Sequence, residues 1–73
     1  MTLGELRDAL GISQKELDRM AGLPINTVHL IESGTNKNPG IKTCVAITEA
    51  LREAGAKGVT VEDIFATQPV GKG

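Results

Sequence analysis

Aromatic side chains are almost missing from this 73-residue chain: Phe65 is the single one, and there is no Trp and no Tyr. Any core must be built from Leu, Ile, Val, Met and Ala. That favours packed helices over a sandwich or barrel, whose strands lean on aromatic and β-branched residues. Cysteine is as scarce, and Cys44 alone excludes an internal disulfide and any cysteine-rich metal site. His29 is the only histidine, so imidazole-based metal binding or catalysis has no second member. No run is long and apolar enough to cross a bilayer, and the first residues lack the basic-then-apolar layout of a secretory leader. A cytoplasmic location is the expectation. Spaced carboxylate pairs, glycine-rich phosphate loops and nucleophile–base sets are lacking too, so the chain reads as a non-enzyme with no cofactor.

An excess of charge of one sign is also missing. Eight Lys and Arg stand against nine Asp and Glu, for a net charge of −1. Over residues 1–44, Arg7, Lys15, Arg19, Lys37 and Lys42 balance Glu5, Asp8, Glu16, Asp18 and Glu32. Such a balance argues mildly against a polyanionic partner, although the field at one face, and not the total, is what such a partner feels. Length sets a further bound. A chain this short makes one domain that buries about 60% of its unfolded surface, which is marginal unless the helices pack closely or two copies pair.

What is present is a set of clear helix boundaries. Thr2 precedes Glu5 by three residues and Ser13 precedes Glu16, both fitting the capping box; Thr60 with Asp63 is a weaker version, because Asp is short. The spacing predicts a first helix from Leu3 to Leu10, with Leu3, Leu6 and Leu10 on one face and Gly11 as its stop. A second begins after Ser13, places Leu17, Met20 and Ala21 on one stripe, and ends at Gly22. A third covers Ile25 to Ser33, with Val28 and Ile31 inward and Gly34 as a left-handed terminator. "TNKNPG", Thr35 to Gly40, is an exposed loop. A fourth helix runs from Ile41 to Ala54, with Ile41, Cys44, Val45, Thr48 and Leu51 at core spacing. Cys44 is therefore a buried structural thiol and not a redox sensor. "GAKGV" reads as a flexible connector, and a short fifth helix from Val61 to Ala66 offers Ile64 and Phe65 to the core. One domain over residues 1–66 with a flexible tail over 67–73 is the expected organisation, without internal repeats.

Four to five short helices with a glycine-centred turn between the second and third make a helix-turn-helix arrangement. "RDALGISQKEL" from Arg7 to Leu17, "AGL" at the turn, "TVHLIESG" and "NPGIKTCVAITEAL" occur in order. Together these runs resemble the Cro/CI-type (XRE-like) DNA-binding domain of phage repressors and bacterial regulators, over residues 3 to 66. The resemblance implies an all-α, lambda-repressor-like fold. It also implies a bacterial or phage transcriptional regulator, expected to be a repressor, that binds a double-stranded DNA operator as a homodimer. The helix near residues 25–33 would enter the major groove, with Ile25, Asn26, His29 and Leu30 facing the bases. Asn26 would suit adenine, and Ile25 or Leu30 a thymine methyl. Gln14, Lys15, Thr27, Asn36, Lys37, Lys42 and Thr43 would touch the DNA backbone. Arg7 and Glu32 fall at positions that form an ion pair between the first and third helices in that family. Gly22 sits where the chain must reverse with a positive φ. The dimer surface is expected at the end of the fourth helix, "REAGAKGV" and the fifth helix.

Two departures from the family pattern stand together. The residue before the third helix is commonly Ser or Thr, whose hydroxyl caps it, but here it is Pro24. Asp18 occupies a position usually held by Ala or Gly. The Asp18 carboxylate is therefore expected to reach the uncapped amides of Ile25 to Thr27 and to face the positive end of that helix. A second function remains open at this point: a protein-interaction module, antitoxin or adaptor, favoured by the apolar Ile25 and Leu30. A third is the DNA-binding part of a longer regulator, since "QPVGKG" resembles a linker stub.

Overall fold

All helix starts in this protein but the fourth are set by side chains that accept the first free amides. In the computed structural model, which describes residues 2–65, the Thr2 hydroxyl accepts from Glu5 N–H at 3.2 Å and Glu5 Oε1 accepts from Thr2 N–H at 2.8 Å. This reciprocal box opens α1 (Leu3–Leu10). Ser13 opens α2 (Gln14–Ala21) by accepting from Glu16 N–H at 3.0 Å, with no return bond from the Glu16 side chain. After these come α3 (Thr27–Glu32), α4 (Ile41–Glu53) and α5 (Val61–Phe65). Thr60 and Asp63, expected to be the weakest pair, form both bonds at 2.9 and 3.2 Å. Asp is short, but it stays within reach of its partner's N–H. The expected tail over 67–73, and Ala66 at the end of the fifth helix, lie outside the described residues.

The core is aliphatic apart from Phe65 and Cys44. Leu3, Ile12, Leu17, Val28, Ile31, Cys44, Ile47, Ala50, Leu51, Val59, Ile64 and Phe65 form one buried cluster. Leu6 and Leu10 pack half-buried against it. Helix α2 packs on both α3 and α4, and α5 closes against α4.

Two inward faces differ from the periodicity reading. On α4 the buried set is Cys44, Ile47, Thr48, Ala50 and Leu51, whereas Ile41 and Val45 are exposed. The stripes 41/44/45/48 and 44/47/48/51 are both regular and lie one step apart around the helix. Neighbouring helices choose the second. Thr48 is tolerated inside because its hydroxyl donates to the Cys44 carbonyl at 2.7 Å. On α2, Met20 is exposed, and the inward stripe is Gln14, Leu17, Asp18 and Ala21, with Leu17 and Asp18 buried. Two of those four positions are polar, which hides the stripe from a search for apolar residues.

The connector expected to be flexible is anchored at its last residue. Val59 is buried, and its carbonyl accepts from Arg52 Nε at 2.6 Å.

Cys44 is fully buried, and its Sγ faces the carbonyl of Pro39 at 3.8 Å. Burial pushes the thiol above its ordinary range, more than the backbone contact lowers it. In the native protein Cys44 should react with an aromatic disulfide reagent at least about a hundredfold more slowly than in the urea-unfolded chain. Equal rates in the two states would contradict a closed core.

Candidate nucleic-acid interface

The turn between α2 and α3 begins at Gly22, whose φ of 70° is left-handed. Gly22 N–H bonds to the Arg19 carbonyl at 3.1 Å, and Leu23 N–H to the Asp18 carbonyl at 2.9 Å. This pair of bonds ends α2 and reverses the chain. A side chain at residue 22 would be strained by that φ, although nothing lies within 4 Å of its Cβ position.

From there the path differs from the sequence expectation. Residues 24–27 form a turn in which the Pro24 carbonyl accepts from Thr27 N–H at 3.3 Å and from Thr27 Oγ1 at 2.7 Å. Asn26 has φ 74°, so α3 starts at Thr27 and not at Ile25. The Asn26 side chain makes no capping bond. The cap comes from α2 instead: Asp18 Oδ2 accepts from Asn26 N–H and Oδ1 from Val28 N–H, each at 2.9 Å. The amides served are those of Asn26 and Val28, and Thr27 N–H between them goes to Pro24.

The far end of α3 is held by a charged network. Arg7 Nε and NH2 donate to the two carboxylate oxygens of Glu32, at 2.8 and 3.1 Å. Arg7 NH1 donates to the Ile12 carbonyl at 2.8 Å, and Asp8 lies 3.3 Å from the same nitrogen. Both side chains of the main pair are only 15% exposed. Gln14 adds Nε2 to Glu32 Oε1 at 3.0 Å, so its amide nitrogen is turned inward, tying the start of α2 to the pair. Burial opposes the charge on Glu32, but the bonds from Arg7 and Gln14 and the Arg7 charge outweigh it and hold the carboxyl below its ordinary range. Arg7 is raised, chiefly by its bond to Glu32.

Two parts of this network escape a reading of the sequence. The Ile12 carbonyl carries no side-chain signal. Gly4 does: a glycine in an eight-residue helix weakens it by about 1 kcal/mol relative to alanine. A Cβ at residue 4 would stand 3.2 Å from Glu32 Oε1, so glycine lets that carboxylate lie close against α1.

With both ends of α3 fixed, the outward groups are defined. Ile25 is 66% and Leu30 40% exposed, and Asn26 and His29 are exposed beside them. Lys15, Lys37 and Lys42 are also exposed, while Thr27, Asn36 and Thr43 are half-buried. Asn36 Oδ1 accepts from Asn38 N–H at 3.2 Å, shaping the loop before α4. Gly40 starts α4 with extended backbone and no side-chain cap. A shallow hollow beside the tip is lined by residues that include Lys15, Arg19, Leu23 and Ile25. Among the described residues no cluster of His, Cys, Asp or Glu side chains could hold a metal ion, and no helix is long and apolar enough to cross a membrane.

Residues 3–63 match the family model described as helix-turn-helix. No curated protein and no solved structure matches the chain.

Proposed function

Since the chain belongs to the helix-turn-helix family of DNA-binding regulators, in its Cro/CI (XRE-like) branch, we propose that it reads a specific duplex sequence with the exposed side of α3 in the major groove. The observation that carries this is the tip of α3. Ile25, Asn26, His29 and Leu30 face outward there, while Asp18 and the Arg7–Glu32 pair hold the helix from behind.

In this reading Asn26 pairs with an adenine edge, and Ile25 or Leu30 meets a thymine methyl. His29 donates to a base acceptor or a phosphate. Lys15, Lys37, Lys42 and Thr43 grip phosphates on either side, with Gln14, Thr27 and Asn36 beside them, and the uncapped start of α4 adds backbone amides. Repression follows if the operator overlaps a promoter. A two-fold homodimer would place two tips on half-sites about 34–36 Å apart.

A selection of bound duplexes from a random pool at low salt tests this. Enrichment of a palindrome with A·T-rich half-sites is expected. On the winning duplex, Asn26→Ala should lose about 1–3 kcal/mol and relax preference at certain positions. Lys37→Ala should weaken all sequences alike and reduce the salt slope by about 1.

The exposure of Ile25 and Leu30 also favours a second reading, a protein-interaction module, antitoxin or adaptor, that uses the same tip against another protein. An apolar interface of that kind would keep its affinity as salt rises, whereas several phosphate contacts lose theirs steeply. Absence of any enriched duplex, together with salt-insensitive partner binding, would favour the module.

A further inference from the structure

Asp18 is 3% exposed and sits beneath the tip of a six-residue helix. Its two oxygens straddle Thr27, taking the amides on either side of it, and the Thr27 amide is occupied by Pro24. Three of the four backbone donors at the start of α3, those of Asn26, Thr27 and Val28, are therefore already bonded within the protein. A phosphate approaching the tip would find no free amide among residues 26–28 and would meet a carboxylate within hydrogen-bonding distance of them. Asn26, held between these bonds, is the only non-glycine with positive φ among the described residues. That conformation costs most side chains energy and Asn least among them; here the bonds from Asp18 to the Asn26 and Val28 amides hold it in place. Its side-chain amide is exposed and makes no bond to the helix it precedes.

Resting on the DNA-reading assignment above, we propose that Asp18 is a specificity-determining positioning residue. It fixes Asn26 in the left-handed, outward-facing conformation. It also makes the tip unattractive to phosphate, so that α3 engages base edges while the lysines take the backbone. Asp18 need not touch DNA. It acts through Asn26 and through the field at the tip.

Asp18→Asn separates this role from simple charge loss. The amide retains one acceptor oxygen, so one of the two backbone bonds must go, and the negative charge goes with it. Glu16, exposed on α2, gives the control: Glu16→Gln removes one negative charge and leaves the tip bonds intact. Binding of the full chain to the enriched duplex and to a scrambled duplex of equal length is measured for both variants. Both should bind the scrambled duplex more tightly than wild type. Only Asp18→Asn should lower the ratio of specific to scrambled affinity, by about tenfold, the scale of one good base contact. Equal ratios in the two variants would overturn the proposal.

The unbound protein supplies a readout independent of DNA. In Asp18→Asn the amides of Asn26 and Val28 should exchange faster, and the Asn26 coupling constant should leave its left-handed value. An unchanged tip overturns the positioning role, whatever the duplex does. If wild type enriches no duplex, the assignment of α3 to the bases fails, and the exchange data still decide whether Asp18 sets the conformation of Asn26. Should Asp18→Asn not fold, the double variant with Asn26→Gly removes the cost of the left-handed residue. It is expected to fold and to lose preference at the positions that Asn26 reads. A double variant that still does not fold would show Asp18 to be scaffold alone and would overturn the specificity role.

Discussion

Glu32→Ala is expected to destabilise the protein by about 3 kcal/mol, since removing one partner of a partly buried pair strands the other charge. For a domain of this size that corresponds to a fall in Tm of roughly 12–24 °C. Two bonds from Arg7 and one from Gln14 end on this carboxylate, with both charged side chains 15% exposed. Arg7 would keep the Ile12 carbonyl and Asp8, neither of which replaces a bidentate carboxylate. A loss under about 1 kcal/mol, the value of a solvated surface pair, would contradict this picture.

The same carboxylate sets an acid limb. Glu32 is more acidic when folded than when unfolded, so its contribution is present above the ordinary glutamate value of about 4.3 and fades as pH falls through the folded value. Glu5 titrates in the same direction, through its bonds from the Thr2 backbone and side chain, and it is fully exposed. Stability of wild type should therefore decline below about pH 4. Glu32→Gln should be less stable at neutral pH and show a shallower decline, leaving the part that Glu5 supplies. Parallel acid limbs in the two proteins would show that the network is not coupled to protonation.

Leu17→Ala should cost a comparable amount, about 3 kcal/mol within a usual span of roughly 2–5. Leu17 is completely buried on the helix that packs against both α3 and α4. Truncation leaves a void between α2 and its neighbours that the surroundings fill only in part. The measurement is the urea midpoint at constant m, which reports stability without a change in exposed surface. Leu17→Met, which conserves volume, should lose under about 1.5 kcal/mol. Similar losses for the two variants would mean that the site tolerates a cavity and that the core is less tightly packed at α2 than its burial implies.

The helices and their limits were legible because their signals are local. Thr2, Ser13 and Thr60 accept amides three residues ahead, and Gly11 and Gly22 carry the positive φ that ends a helix. Such bonds need no partner from elsewhere in the chain. The start of α3 was misplaced by two residues for the opposite reason. Pro24 suits a first helical turn, but a carboxylate eight residues back captures Asn26 and Val28, and the helix begins only after them. The pairing of Arg7 with Glu32 came from family resemblance; neither Gly4 nor the Ile12 carbonyl could be assigned to it without the packing of α1 against α3.

Residue pattern alone established an all-helical chain, its five segments, a core without aromatic stacking and a glycine turn between α2 and α3. These depend on short-range backbone chemistry and on what the composition can pack. Which faces of α2 and α4 turned inward was decided by tertiary packing. Periodicity defines a stripe only to within one step of rotation, and α4 took the neighbouring one, leaving Ile41 and Val45 outside. On α2 the inward stripe includes Gln14 and Asp18. A polar residue is stable inside only when distant groups satisfy it, and those groups, Glu32 and the amides of Asn26 and Val28, come together only in the folded protein.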